Sequence, residues 1–375
     1  MKIGMVCYPT YGGSGVVATE LGRLLAKRGH EIHFISTEIP FRLVHEADDN
    51  IIFHSVERFS YPLLGSELYT LSLASKIVQI ANEQGLEVVH AHYAIPHAVS
   101  AWLAKQAAGG VRPKVVTTLH GTDITLVGRA PSYYPVVRFA LDQSDAVTAV
   151  SEWLAEETRR EFYPGRAIDV IPNFVDSTRF RPSLTPCKRS RFAPNGEKIL
   201  LHISNFRPVK RVEDVVRVFA RVQARMPATL LLIGDGPDYD RTVQLSHELG
   251  VSQHVHWLGK QEQVQFYFSC ADLFLLPSES ESFGLAAIEA MSSEIPVIAS
   301  RAGGIPEVVK QGETGFLSPV GDVEDMAANA LRILGTNGLG HQMGEAARRD
   351  VVARYQPESI VPMYEAVYER VLAQD

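Results

Sequence analysis

The sequence predicts an α/β fold of two doubly wound, Rossmann-like domains facing each other across a cleft. Three observations carry that prediction. Short runs of mostly Val, Ile, Leu, Ala and Phe, as at 146–150, 199–203, 229–233 and 271–276, have the near-continuous apolar character of strands buried on both faces of a parallel sheet. Each run leads into a Gly-rich or polar loop and then a segment of helical composition, the alternation of βα units. The alternation stops at a Pro-, Arg- and Ser-rich stretch without sustained period, 179–195, and then restarts. A chain of 375 residues has room for two cores of roughly 150 to 200 residues each.

Taken in order, the strand at 2–8 runs through Pro9 into the loop G-G-S-G at 12–15, and a helical segment at 16–28 is closed by Gly29 before the strand at 31–36. Gly13, Gly15 and Ala18 satisfy G-x-G-x-x-A, but a dinucleotide fingerprint turns almost at once after its strand and this loop is longer. A helix N-terminus facing an anionic group is the better expectation. The runs V-V-H-A-H-Y-A-I-P-H at 88–97 and K-V-V-T-T-L-H-G-T-D at 114–123 turn polar at their C-terminal ends. Open α/β sheets hold ligands along that edge, so Tyr93, Thr117, Thr118 and His120 become candidates, although a single strand-end histidine more often serves structure. A helix at 134–143 carries Arg138, and the strand at 146–150 with a helix beginning at Ser151 completes a first domain, 1–170.

The second domain is expected at 171–357, with a terminal helix at about 358–375 packing back on the first. Its strand-end loops are S-N-F-R-P-V-K-R at 204–211, G-D-G-P at 234–237, Gly259 with Lys260, and G-G-I-P-E at 303–307. The central stretch is E-S-F-G-L-A-A-I-E, 281–289, between the apolar run 271–276 and a helix ending near Met291. Glu281 falls on the loop, Ser282 is the expected N-cap, and the first free amides are those of Phe283, Gly284 and Leu285. Gly284 allows close approach, and Glu289, about two turns in, offers a bidentate acceptor to a vicinal diol such as a ribose. With Arg207 and Lys210 on a neighbouring loop, the set has the chemistry of a nucleoside diphosphate site.

Apolar content of 46%, charged content of 21% and no apolar run near the roughly 20 residues of a membrane span suit a globular protein. A net charge of −7 argues against nucleic acid or an anionic membrane as partner. Cys7, Cys187 and Cys270 are odd in number, scattered and without metal-ligand spacing, which suits structural thiols in a reducing compartment. The start runs straight into a strand without a signal-peptide pattern, so a cytoplasmic protein is expected. Asp238 and Asp240 form a D-x-D string, but they follow a turn and are expected to open a helix rather than hold a metal.

The Glu-x7-Glu segment, G-G-I-P-E, G-D-G-P and the basic loop at 207–211 resemble the retaining glycosyltransferases of family 4, which have the GT-B fold. The resemblance extends over essentially the whole chain. G-G-S-G at 12–15, H-Y-A-I-P-H-A at 92–98, T-T-L-H-G-T-D-I-T at 117–125 and S-N-F-R-P-V-K-R at 204–211 are most similar to the branch acting on L-malate in bacillithiol biosynthesis. The resemblance implies UDP-N-acetylglucosamine as donor, L-malate as acceptor and retention; no metal or other cofactor is expected, because Lys210 and Arg207 supply the positive charge a metal would bring. By that likeness Glu289 holds the ribose of UDP, Lys210 and Arg207 its diphosphate, and Glu281 and His120 the transferred sugar. Catalysis is thereby assigned to His120, Glu281, Arg207 and Lys210. Gly13, Gly15, Lys260, Phe283, Gly284 and Leu285 are assigned to the UDP-sugar, and Ser14, Tyr93, Thr117, Thr118 and Arg138 to the acceptor. The leaving phosphate oxygen could take the acceptor's proton. The family pattern has Arg where Asn205 stands and ends the central helix with Gly where Glu294 stands; Arg207 is the expected substitute for the first, and local strain is expected at the second. Two alternatives stay open: a UDP-N-acetylglucosamine 2-epimerase, which would need no acceptor, and a nucleotide-sugar-binding module without turnover. Self-association is also left open.

Overall fold

The computed structural model describes residues 1–10, 12–40, 43, 48–57, 68–182 and 189–374. Two compact units form: Met1–Asn173 with Pro357–Asp375, and Phe174–Gln356. The first holds β1 (Lys2–Val6), α1 (Ser14–Lys27), β2 (Glu31–Ser36), β3 (Ile51–Ser55), α2 (Tyr69–Gln84), β4 (Val88–His92), α3 (Val99–Ala107), β5 (Lys114–Leu119), α4 (Tyr134–Gln143), β6 (Ala146–Ala149), α5 (Glu152–Phe162) and β7 (Ile168–Val170). Its seven strands run in the order β3-β2-β1-β4-β5-β6-β7, and every pairing is parallel. The strand at 51–55 and the helix at 69–84 lie outside the elements expected from the sequence; β3 is a partly exposed edge strand.

The second unit holds β8 (Lys198–Ile203), α6 (Val212–Gln223), β9 (Ala228–Ile233), α7 (Tyr239–Glu248), β10 (Val255–Trp257), α8 (Gln265–Phe268), β11 (Leu273–Leu276), α9 (Leu285–Ser292), β12 (Val297–Ser300), α10 (Ile305–Val308), β13 (Gly315–Ser318), α11 (Val323–Gly335) and α12 (Leu339–Arg354). Its six parallel strands run β10-β9-β8-β11-β12-β13. The last helix, α13 (Pro357–Leu372), joins the first unit, packing on α1 and β5. Both sheets reverse direction of travel beside their first strand, between β1 and β4 and between β8 and β11, and the crevice outside the strand ends at such a switch point is where open α/β sheets bind ligands.

The interiors follow from the apolar runs. β9, β11, β12 and β13 are buried at every residue, and Val215, Val218, Phe219 and Val222 of α6 pack on them with Ala327, Ala330 and Ile333 of α11. That spacing of three and four residues is the helical apolar stripe. Ser151 caps α5 by accepting from the Leu154 amide at 3.1 Å, and Asp238 and Asp240 sit at the start of α7. Cys7 is a buried free thiol and Cys270 is disulfide-bonded, which departs from the expectation of structural thiols alone. Among the described residues no helix is long and apolar enough to cross a membrane.

Candidate active site

In the first unit the site is built on the ends of β1, β4 and β5. Gly13, with φ 59, precedes α1, and the amides of Ser14 and Gly15 open that helix without helical acceptors. Gly15 is required by proximity: a Cβ there would stand 2.6 Å from Thr10 Oγ1 and 2.7 Å from the Tyr8 carbonyl. The Ser14 hydroxyl donates to the Tyr93 hydroxyl at 2.8 Å, joining the loop after β1 to the one after β4. Tyr93 holds φ 96, a backbone angle unusual for a residue with a side chain, and strain of this kind is kept where surrounding contacts enforce it.

Around this pair lies a ring cluster that sequence reasoning missed in part. Tyr8 packs on His97 at 4.4 Å between centroids and on Tyr93 at 5.9 Å, and Tyr93 lies 5.3 Å from His120. Tyr8 stands one residue past the buried end of the first strand run, a position the strand-edge argument could have flagged; Tyr69, 6.3 Å from Tyr8 and at the start of a helix, gave no such signal. Below it, His92 Nδ1 meets His120 Nε2 at 2.9 Å. Burial pushes His120 down to about 3 and His97 down to about 4, so both are neutral at physiological pH. Asp123, of the same H-G-T-D turn, accepts from the amides of Ala94 (2.9 Å), Gly121 (2.9 Å) and His120 (3.3 Å), locking the two loops together. Burial raises its carboxyl to about 6 in spite of those bonds.

Thr117 and Thr118 require correction. Both are fully buried, the Thr117 hydroxyl bonded to Ser144 at 2.8 Å and the Thr118 hydroxyl to His90 at 2.6 Å and Thr148 at 2.7 Å. Their hydroxyls satisfy the core and are spent before a ligand arrives. Arg138 is an exposed residue of α4 whose guanidinium lies 3.9 Å from Asp142 one turn on.

In the second unit Lys210 forms a direct ion pair with Glu281, and Ser278 Oγ donates to the same carboxylate oxygen at 3.2 Å. Lys210 lies on the 3-10 turn Pro208–Lys210, and the Glu279 amide donates to the Val209 carbonyl at 2.8 Å, so backbone pairing holds the two loops in register. Glycine is needed nearby: a Cβ on Gly303, at φ 60, would stand 1.9 Å from the Glu281 carbonyl, which accepts from the Gly304 amide at 2.8 Å. Gly234 and Gly236 press equally on Ser204 and Phe206, packing the G-D-G-P turn against the basic loop. Arg207 and Asn205 are both exposed, either side of buried Phe206. Lys260 is an exposed residue 3.6 Å from Asp235.

The central helix begins later than expected. Gly284, with φ 99, is the N-cap of α9 in place of Ser282, and the Ala287 and Ile288 amides already bond to its carbonyl at 2.9 and 3.2 Å. The unclaimed amides at its start are therefore those of Leu285 and Ala286, with Phe283 buried just before them. Glu289 is 8% exposed on this helix. Two cations, a helix N-terminus and two carboxylates at one switch point suit an anionic ligand that carries a polyol.

Residues 11–179 match the family described as Glycosyltransferase Family 4, and 187–350 match Glycosyl transferases group 1. The N-acetyl-alpha-D-glucosaminyl L-malate synthase of Bacillus anthracis is 48% identical over 376 residues, covering 100% of this chain and 98% of that protein. A D-inositol 3-phosphate glycosyltransferase of Nocardia farcinica is 29% identical, covering 89% of this chain and 79% of that protein. Among solved structures, sucrose-phosphate synthase from Thermosynechococcus elongatus superposes with a TM-score of 0.84 at 23% identity, covering 100% of both chains. HepE of Anabaena, in complex with UDP and glucose, gives 0.82 at 20% identity, covering 98% of this chain and 99% of that one. The fold is that of the two-domain GT-B enzymes, and the chain belongs to the family 4 glycosyltransferases.

Proposed function

We propose that the protein transfers N-acetylglucosamine from UDP-N-acetylglucosamine to the hydroxyl of L-malate with retention, giving N-acetyl-α-D-glucosaminyl L-malate and UDP. The full-length identity to the Bacillus anthracis synthase of that product carries the proposal. The residues suit it. Glu289 takes the ribose, and Lys210, Arg207, Lys260 and the start of α9 take the diphosphate, whose charge they stabilise as it leaves. Lys210 is already paired with Glu281, so donor binding redistributes an existing ion pair instead of burying a bare charge. Glu281 and His120 hold the transferred sugar. Malate brings two carboxylates and one nucleophilic hydroxyl: the amides of Ser14 and Gly15 receive one carboxylate, and Tyr93, whose hydroxyl accepts from Ser14, donates its own proton to the other. The departing phosphate oxygen accepts the hydroxyl proton, so no protein nucleophile is required.

A UDP-release assay tests this. With UDP-N-acetylglucosamine as donor, L-malate is expected to accelerate release, and succinate, which lacks the hydroxyl, is not. Greater acceleration by inositol phosphate would move the acceptor to that of the 29% identical relative. Turnover is expected to persist in chelator because Lys210 and Arg207 supply the positive charge; loss of activity restored by magnesium or manganese would overturn that part.

A further inference from the structure

The imidazoles at the ends of β4 and β5 form a chain whose proton positions can be deduced. His92 Nε2 lies 3.1 Å from Met5 Sδ on β1, and His92 Nδ1 lies 2.9 Å from His120 Nε2. A thioether sulfur has no proton to give, so the N–H in the first contact belongs to His92. The second contact joins two ring nitrogens directly, which requires one of them to be bare. Burial holds both rings uncharged, with the His90 ring tilted against His92 at 4.3 Å between centroids and His97 as the other nearby imidazole. A neutral imidazole carries a single N–H. With that of His92 directed at Met5, its Nδ1 must accept, and the proton shared with His120 must sit on His120 Nε2. His120 Nδ1 is then the unprotonated nitrogen. The ring is held by its contact with His92 and by the Tyr93 ring beside it, while the Asp123 carboxylate accepts from the His120 backbone amide.

We propose that His92, held by Met5, is a positioning residue that fixes His120 as its Nε2–H tautomer, so that His120 presents a bare Nδ1 acceptor to a hydroxyl of the transferred sugar. The alternative tautomer would present a donor on Nδ1, suited to an anion such as the leaving diphosphate. The identity of the ligand hydroxyl rests on the glycosyl-transfer function proposed above; the tautomer does not.

Nitrogen-15 spectra of the histidine-labelled full-length protein near neutral pH decide the matter. The expected pattern for His120 is a protonated Nε2 and a bare Nδ1, with the Nδ1 resonance shifting on addition of UDP-N-acetylglucosamine. In Met5→Leu, which keeps the volume and removes the sulfur acceptor, the His120 signals are expected to move toward a tautomer average. The kcat of transfer should fall about tenfold with a smaller change in KM, the size of one ordinary oriented hydrogen bond. A proton on Nδ1 in the unmodified protein overturns the proposal, as does a Met5→Leu spectrum with unchanged His120 signals. The unmodified spectrum is decisive even if that variant does not fold. The expected tautomer in a protein that releases no UDP would support the positioning role and count against the proposed reaction.

Discussion

Glu294 follows the end of α9 with φ 62, a left-handed angle that costs a residue with a side chain roughly 1 kcal/mol relative to glycine. Its carbonyl is closely approached by Gly344, where a Cβ would stand 2.0 Å away, so the turn cannot relax outward. Its carboxylate is 4.0 Å from Arg348, whose guanidinium already donates to the Phe180 and Ser177 carbonyls, a contact too long to offset the strain. Glu294→Gly is therefore expected to raise stability by about 0.5 to 1 kcal/mol in urea unfolding; a lowered midpoint would mean that the Arg348 contact outweighs the backbone term. This strain was legible in the sequence from the side chain standing where the family has glycine. Glu289 allows a parallel test of the donor site: Glu289→Ala should weaken UDP binding by about 1.5 to 3 kcal/mol, the worth of hydrogen bonds to a charged group. Unchanged UDP affinity in the folded variant would remove Glu289 from the ribose. At Tyr93, replacement by Phe keeps the strained backbone and the rings while deleting the hydroxyl that meets Ser14. The KM for malate should rise about fivefold, equivalent to about 1 kcal/mol, with the donor KM unchanged.

At the scale of elements, β4 and β5 and the turns that follow them bury His90, His92 and His97 and hold the partly buried His120 against them. Burial pushes His90 and His120 down to about 3 and His97 to about 4 from an ordinary value of 6.5, and His92 well down also. Between pH 6.5 and about 4 the unfolded chain thus binds protons that the folded one refuses, and stability falls as the pH drops. Asp123 acts in the opposite direction: raised from 3.8 to about 6, it holds a proton in the folded state that the unfolded chain has released, a contribution lost as pH rises through that window. Four imidazoles against one carboxyl leave net acid lability. The urea midpoint should fall between pH 7 and pH 5, and an equal or higher midpoint at pH 5 would show that these rings are not buried neutral. The same two strands show where sequence reasoning succeeds and fails. Apolar runs, glycine turns and the strand-loop-helix order are local, and the α/β class, the start of α5 at Ser151 and the helix opening at Asp238 could be read from them. Whether a polar residue at a strand end faces a ligand or its neighbour is not local: Thr118 and Thr148 are register partners on adjacent strands, and only the pairing shows that their hydroxyls meet. The start of α9 was misplaced by a similar limit, since Ser282 has capping chemistry but Gly284 has the backbone angle. The His92 to Met5 contact joins β4 to β1 across a sheet whose strand order the sequence does not state.

Over the whole molecule, sequence distance and structural membership part company at the C-terminus. α13 follows the second unit directly yet completes the first: His90 Nδ1 bonds the Tyr368 hydroxyl at 2.8 Å, Arg28 and His30 bond Glu365 at 2.7 and 2.9 Å, and Arg370 pairs with Asp169. Ile360, Val361, Tyr364, Val367, Tyr368 and Val371 are all buried on this helix. Taking about 1.5 to 3 kcal/mol for each such side chain, six of them sum to about 9 to 18 kcal/mol, an upper estimate that matches or exceeds the roughly 5 to 15 kcal/mol stability of a typical domain. The polar ends matter less individually: the Arg28 and Arg370 pairs are half exposed, while His90 would be left as a buried ring without its Tyr368 partner. Removal of residues 357–375 should therefore abolish the folding of the first unit and with it acceptor-dependent UDP release. The second unit, with all six of its strands drawn from 198–318, should keep its own cooperative transition and its UDP binding. Limited proteolysis with UDP titration of the truncated chain separates the outcomes: a resistant fragment near 174–356 that still binds UDP is expected. A truncated chain in which both units resist proteolysis would show that α13 is dispensable to the core it covers.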